Sequence, residues 1–270
     1  MFDSIGFIGC GNMGGALLRA LAGTEAGQAR SLFVSGKGRD RAEALANRTG
    51  AAVSDNRTIA AGCSMIFLGV KPQVMPAVLA ELRDTFAARA DRFVLVSMAA
   101  GLTTDAIRSL AGGAYPIIRI MPNLPVSIGA GTTLVCAADV DEKELAAFAA
   151  LMTGSGALCS VPEAQMDAAG AISGCGPAFA ALFVEALADG GVACGLPRET
   201  AQLLAAQTVA GSAELLTRGA MSPAELKDRV CSPGGTTIEG VLALEDGGFR
   251  SLPAAAVRRA YDKTKRLAKA

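Results

Sequence analysis

Ser4-Ile5-Gly6-Phe7-Ile8-Gly9-Cys10-Gly11-Asn12-Met13-Gly14 is the stretch on which the fold turns. Ser4 to Ile8 has the length and apolar character of a short buried strand, and the glycines follow it without a gap. Ala16, Leu17, Leu18 and Leu21 then recur at helical spacing. A G-x-G-x-x-G run alone is a weak signal. Strand, glycines and helix in that order form the context of a dinucleotide-binding unit. There Gly9 permits the tight turn, Gly11 lets a pyrophosphate approach the backbone, and Gly14 lets helix pack on strand. Cys10, Asn12 and Met13 complete the loop as cofactor-binding candidates.

Outward from this unit the pattern repeats. Ser31 to Val34 reads as the second strand, ending where an acidic residue normally holds the ribose hydroxyls of NAD. Ser35-Gly36-Lys37-Gly38-Arg39 stands there instead, and Ser35, Lys37 and Arg39 offer a hydroxyl and positive charge suited to a 2′-phosphate. NADP(H) is therefore the expected cofactor, with NAD(H) as the alternative. A helix over Arg41 to Asn47 leads to Ala51-Ala52-Val53 and then Ser54-Asp55-Asn56. Met65 to Val70 is an apolar strand closed by Lys71-Pro72-Gln73, which places Val70, Lys71 and Pro72 at the crevice where parallel sheets bind ligands. Phe93 to Val96 gives another strand. Its continuation, Ser97-Met98-Ala99-Ala100-Gly101, supplies small residues suited to a wall against a flat ring.

Ile117 to Ile120 is a further strand, followed by a rigid Met121-Pro122-Asn123-Leu124-Pro125 loop. Gly131 to Cys136 suggests an antiparallel strand, Glu142 to Met152 a covering helix, and Leu158 to Val161 one more short strand. Alternating strands and helices predict an α/β doubly wound sheet over residues 1–161. From Glu163 the strand signal stops, so residues 162–270 form an all-helical second domain.

Between Ala168 and Leu216 the charges are Glu185, Asp189, Arg198, Glu199 and Glu214 alone. The helices beginning near Gly176 and near Arg198 are thus apolar almost all round, and a soluble helix of that kind must be buried on every side. About 110 residues of helix do not bury two such elements unaided, so a partner chain, at least a homodimer, is expected. Glu185 and Asp189 share one face, and a hydrogen bond across a helix interface is their expected role.

The 25 basic and 25 acidic residues cancel, which offers nothing to attract nucleic acid or an anionic membrane. No stretch gives roughly 20 uninterrupted apolar residues. Met1 to Ile5 runs directly into the first strand, and the seven cysteines contain no CxxC pair, so a reducing, cytoplasmic setting without a metal site is expected. Histidine is absent, which removes the commonest general acid–base group and transition-metal ligand together. A hydroxyacid dehydrogenase of similar plan requires a lysine on the central helix of its second domain. Gly176 to Gly195 contains none, and the lysines after Val161 are Lys227, Lys263, Lys265 and Lys269.

The remaining signal is Cys231-Ser232-Pro233-Gly234-Gly235-Thr236-Thr237-Ile238-Glu239-Gly240. Pro233 stops a helical pattern, two glycines free the backbone, and two hydroxyls open the next apolar run. Such a turn makes a cradle for a carboxylate, or simply a helix–helix corner in which Thr236 or Thr237 is the N-cap.

Together these motifs, with Ser173-Gly174-Cys175-Gly176-Pro177-Ala178-Phe179 and Gly195-Leu196-Pro197-Arg198, closely resemble the pyrroline-5-carboxylate reductase family along almost the whole chain. The resemblance implies a Rossmann domain and a helical dimerisation domain like the C-terminal part of 6-phosphogluconate dehydrogenase. It also implies a site shared between one subunit's cofactor domain and the other's helices, and assemblies up to pentamers of dimers. Carried over, Asn56, Val70, Lys71 and Ala99 line the cofactor. Thr237 bonds the ring nitrogen of 1-pyrroline-5-carboxylate as the catalytic residue. Ser232, Gly234, Gly235 and Thr236 hold its carboxylate.

Overall fold

The computed structural model describes residues 2–219 and 221–267, and Lys269 lies outside them. By contact the chain forms two units, one of residues up to Cys175 together with those from Tyr261, the other Gly176–Ala260.

The first unit is built on eight strands: β1 Ser4–Ile8, β2 Ser31–Ser35, β3 Ala52–Val53, β4 Met65–Leu68, β5 Val94–Ser97, β6 Ile117–Pro122, β7 Gly131–Ala138 and β8 Gly156–Ser160. Their order in the sheet is β3-β2-β1-β4-β5-β6-β7-β8. The pairs from β3 through β6 are parallel, β7 runs antiparallel to β6, and β8 parallels β7. Helices α1 Asn12–Ala22, α2 Glu25–Gln28, α3 Arg39–Thr49, α4 Asn56–Gly62, α5 Met75–Ala87, α6 Thr104–Ala111, α7 Glu142–Met152 and α8 Met166–Ser173 complete it.

Parallel strands covered on both faces need apolar residues on both, because neither face meets water. Accordingly β4 and β5 are buried at every position. Alternate residues enter different cores. Phe7 and Phe67 join Leu17, Leu18, Leu21 and Phe148 on one face, whereas Ile8, Ile66 and Leu68 join Ile59, Leu79 and Phe86 on the other. Phe7 stacks on Phe67 with ring centroids 4.3 Å apart and planes 7° from parallel. Helix α7 begins where expected because Asp141 and Glu144 close a reciprocal capping box, with bonds of 2.8 and 3.0 Å.

Three boundaries depart from the sequence reading. Strand β4 ends at Leu68 rather than Val70, because a Cβ on Gly69 would stand 2.6 Å from the Gly9 carbonyl oxygen. The backbone must separate there. Helix α3 begins at Arg39 rather than Arg41, which takes Arg39 out of the loop and into a helical turn. The first unit also continues past Val161 to Cys175. Arg119 on β6, 6% exposed, reaches forward to Glu163 at 3.0 Å and Asp167 at 3.5 Å. Asn123 Nδ2 donates to the Ser173 carbonyl at 3.0 Å, so α8 is tied to the sheet edge.

The second unit holds α9 Gly176–Ala193, α10 Arg198–Thr217, α11 Pro223–Val230, α12 Thr236–Asp246 and the start of α13 Ser251–Leu267. Helices α9 and α10 meet through Ala188, Ala201 and Ala205, small residues that allow close approach. Asp189 accepts a 2.6 Å hydrogen bond from Arg198 at the α9–α10 corner, which is the structural role expected of the acidic pair. The outer faces remain apolar and open, with Leu182 66% and Leu203 69% exposed. One helical stretch, Glu163–Ala193 at mean hydropathy 1.6, is long and apolar enough to cross a membrane by length and composition, where no such stretch was expected. It includes the ion-paired Asp167 and breaks between α8 and α9.

Candidate active site

The sheet order reverses beside β1, since β2 lies on one side and β4 on the other. In doubly wound sheets the crevice beyond the carboxyl ends of the strands at such a point takes the ligand. Here that crevice is shaped by three glycines in backbone contact. Gly9 has φ +105°, and a Cβ there would meet Gly69 C and Val70 N at 2.8 Å. A Cβ on Gly14 would meet the Gly9 oxygen at 2.5 Å. Gly69 was missed from sequence, although a glycine ending an apolar strand is itself a signal of close backbone approach.

Gly11 differs. The N-cap of α1, it makes no side-chain cap bond, and the nearest protein atom to a Cβ there would be 4.0 Å away. Packing therefore leaves Gly11 open, and the first N–H groups of α1 point into that opening. This is a cradle that a Cβ would fill, and it fits a pyrophosphate held at a helix N-terminus.

The other cofactor candidates divide. Cys10 is buried, Met13 half-buried and Asn12 exposed. Ser35 is 3% exposed, its hydroxyl donating to Asn56 Oδ1 at 2.6 Å and lying 3.4 Å from the Phe7 carbonyl oxygen. That bond joins the end of β2 to the start of α4, so Ser35 and Asn56 come together as a pair. Lys37 is exposed, while Arg39 bonds Glu43 one helical turn away at 2.8 Å. Val70 and Pro72 are half-buried beside an exposed Lys71. Ala99 is buried among the second core, and Ala100 is exposed.

In the second unit, Ser232 to Gly235 is a four-residue turn closed by a 3.0 Å bond from Gly235 N–H to the Ser232 carbonyl. Pro233 is second and Gly234, at φ +66°, third, the chemistry a type II turn requires. The N-cap of α12 is Gly235, with no side-chain cap bond. Thr236 and Thr237 are therefore the first two residues inside the helix, and the alternative in which either caps it is excluded. Among the described residues, the hydroxyls of Ser232, Thr236 and Thr237 make no hydrogen bond within the protein. A helix terminus with three unpartnered hydroxyls can receive a carboxylate and a further polar atom.

The described part of α9 contains no lysine, which removes the proton donor of the hydroxyacid dehydrogenase plan. Among the described residues no group of three or more Cys, Asp or Glu is placed to hold a metal.

A doubly wound sheet with a glycine turn at its switch point, followed by helices, defines the class of Rossmann-type oxidoreductases. Residues 4–101 match a family model described as NADP oxidoreductase, coenzyme F420-dependent. Residues 163–267 match one described as pyrroline-5-carboxylate reductase dimerisation. The chain is 42% identical over 271 residues to the pyrroline-5-carboxylate reductase of Synechocystis sp., covering 100% of both. It superposes with TM-score 0.89 on the Coxiella burnetii pyrroline-5-carboxylate reductase, at 33% identity and 97% coverage of each. It is also 31% identical, with TM-score 0.83 and 98% coverage of each, to a Plasmodium falciparum pyrroline carboxylate reductase with NADP bound. This chain belongs to the pyrroline-5-carboxylate reductase family.

Proposed function

We propose that this chain catalyses the NADP(H)-dependent reduction of 1-pyrroline-5-carboxylate to L-proline, the last step of proline biosynthesis, with NAD(H) as the alternative cofactor. The observation that carries the reading is the turn opening α12, whose three hydroxyls are unpartnered. When bound, the dinucleotide supplies a hydride. The chain's own residues bind and orient.

Gly11 and the first N–H groups of α1 receive the pyrophosphate, with Cys10, Asn12, Val70, Lys71, Pro72, Ala99 and Ala100 lining the remainder. Ser232, Gly234, Gly235 and Thr236 hold the substrate carboxylate against the positive end of α12. Thr237 orients the ring nitrogen. A cyclic imine is basic enough to arrive largely protonated near neutral pH, so an acid–base side chain is not needed and the lack of histidine fits. Orientation then carries most of the rate. Replacing Thr237 with alanine is expected to lower kcat/KM by about 10- to 100-fold, ~1.4–2.7 kcal/mol of transition-state binding. Near-normal turnover in steady-state assays removes Thr237 from the mechanism.

Residues 162–270 serve in this reading as the dimerisation and substrate domain. Each leucine such as Leu182 or Leu203 gains about 1.5–3 kcal/mol on full burial, which a second copy of the chain supplies. Light scattering after size exclusion is expected to give at least a dimer, with larger even-numbered assemblies such as a decamer consistent with the same surface. A stable monomer contradicts it. The seven free cysteines suit a reducing cytoplasm, and balanced charge suits a partner set of small molecules and copies of this chain rather than nucleic acid or membrane.

A further inference from the structure

A cleft of about 390 Å³ opens between α1 and α3, lined at one end by Gly11 and Asn12 and by Arg41, and further along by Arg19 and Arg48. None of these three arginines pairs with a carboxylate among the described residues. Arg41 instead donates from Nη2 to Asn12 Oδ1 at 2.9 Å. That single bond sets the guanidinium against the second residue of the glycine turn, where the phosphate groups of a dinucleotide belong.

The groups first expected to read a 2′-phosphate are less well placed. Arg39 is neutralised by Glu43 at 2.8 Å. The Ser35 hydroxyl points inward to Asn56 at 2.6 Å. Lys37 is a point charge on an exposed flexible stem, whereas an arginine offers a planar fork that matches phosphate geometry. Arg19 and Arg48 lie about two helical turns along the same cleft, roughly 10 Å from the glycine turn, and raise its positive potential without a counter-charge.

From this geometry we infer that Arg41, not Arg39, is the specificity-determining residue that distinguishes NADP(H) from NAD(H). The inference rests on the reading of the glycine crevice as a dinucleotide site. Asn12 holds the guanidinium in place before the ligand arrives, so Arg41 donates its remaining N–H groups to the 2′-phosphate with little ordering of its own. NAD(H), lacking that phosphate, meets the same crevice without this contact.

Calorimetric titration of NADP⁺ and NAD⁺ into the wild type, Arg41→Ala and Arg39→Ala tests this on binding alone. A hydrogen-bonded charge contact of this kind corresponds to about a 10- to 100-fold change in affinity. Arg41→Ala is expected to weaken NADP⁺ by that factor and to leave NAD⁺ within about threefold, whereas Arg39→Ala changes either by less than about threefold. Equal weakening of both cofactors by Arg41→Ala, no weakening, or a larger NADP⁺ loss in Arg39→Ala overturns the assignment. Failure of the wild type to bind either dinucleotide sinks the underlying cofactor reading instead. Thermal melts of the three proteins, expected to agree within about 2 °C because both arginines sit on an exposed helical turn, identify any loss caused by misfolding.

Discussion

Gly9→Ala is expected to lower the melting temperature by roughly 6–12 °C and to weaken NADPH binding at least ~100-fold. The backbone at Gly9 sits at φ +105°, which a side chain occupies only at a cost of about 1–3 kcal/mol. The added Cβ would also stand 2.8 Å from Gly69 C and Val70 N. Those atoms are backbone at the end of β4, so relief requires the two central strands to separate. A total of about 3 kcal/mol gives the stated shift for a domain of this size. Gly14 and Gly69 both lean on the Gly9 carbonyl, so the cradle at Gly11 moves with it.

Gly11→Ala is the matched control. Its Cβ would find no protein atom within 4.0 Å, and the Gly11 φ is an ordinary −66°. Stability is expected to stay within about 1 kcal/mol, while NADPH affinity falls because the methyl occupies the space reserved for the pyrophosphate. Differential scanning fluorimetry and calorimetric NADPH titration read the two effects separately. A Gly11 variant that binds normally contradicts the cradle, and a Gly9 variant with unchanged melting contradicts the packing argument.

The second large effect is expected at Arg119. Its guanidinium is buried, pairing with Glu163 at 3.0 Å and Asp167 at 3.5 Å. Glu163 also accepts the Thr104 N–H and hydroxyl, each at 2.8 Å. Removing one partner of a buried pair costs about 3–5 kcal/mol. Because Glu163 and Asp167 keep some solvent contact, about 2–3 kcal/mol is expected for Arg119→Ala in urea unfolding at pH 7.

The pH dependence identifies the cause. Burial alone raises the Glu163 carboxyl, but the bonds from Thr104 and Arg119 prevail and hold it below the usual range. A depressed carboxylate stabilises the fold above its unfolded pKa of about 4.3 and loses that contribution as pH falls through the folded value. Without Arg119, protonation relieves the uncompensated charge. The stability gap between wild type and Arg119→Ala should therefore narrow between pH 7 and about pH 4. A gap that widens over that range contradicts the ion-pair account.

Legibility followed the range of the physics involved. Strand β1, helix α7 and the antiparallel β7 could be read because their signals are local: apolar runs, a capping box and glycine punctuation. The apolar helices α9 and α10 were equally plain, since so few charges interrupt them. The end of β4 was not legible. It depends on Gly9 and Gly69 meeting across some sixty residues of sequence. The extent of the first unit likewise depends on Arg119 reaching Glu163 and Asp167, a contact invisible to periodicity.

At the site, the glycine turn and the Ser232–Thr237 run carried their chemistry in their spacing. Which hydroxyls and cations remain available did not. Ser35 faces Asn56 and Arg39 faces Glu43, while Arg41 reaches Asn12 from a helix whose start was placed two residues late. Side-chain pairing across elements decided each case.

The most direct measurement is oxidation of NADPH by the purified protein with racemic 1-pyrroline-5-carboxylate, with proline quantified as product. Proline formed in step with NADPH consumed, and faster than with NADH, is the predicted result. NADPH consumption without proline, or no consumption by a protein that binds the dinucleotide, contradicts a site that positions a cyclic imine for reduction.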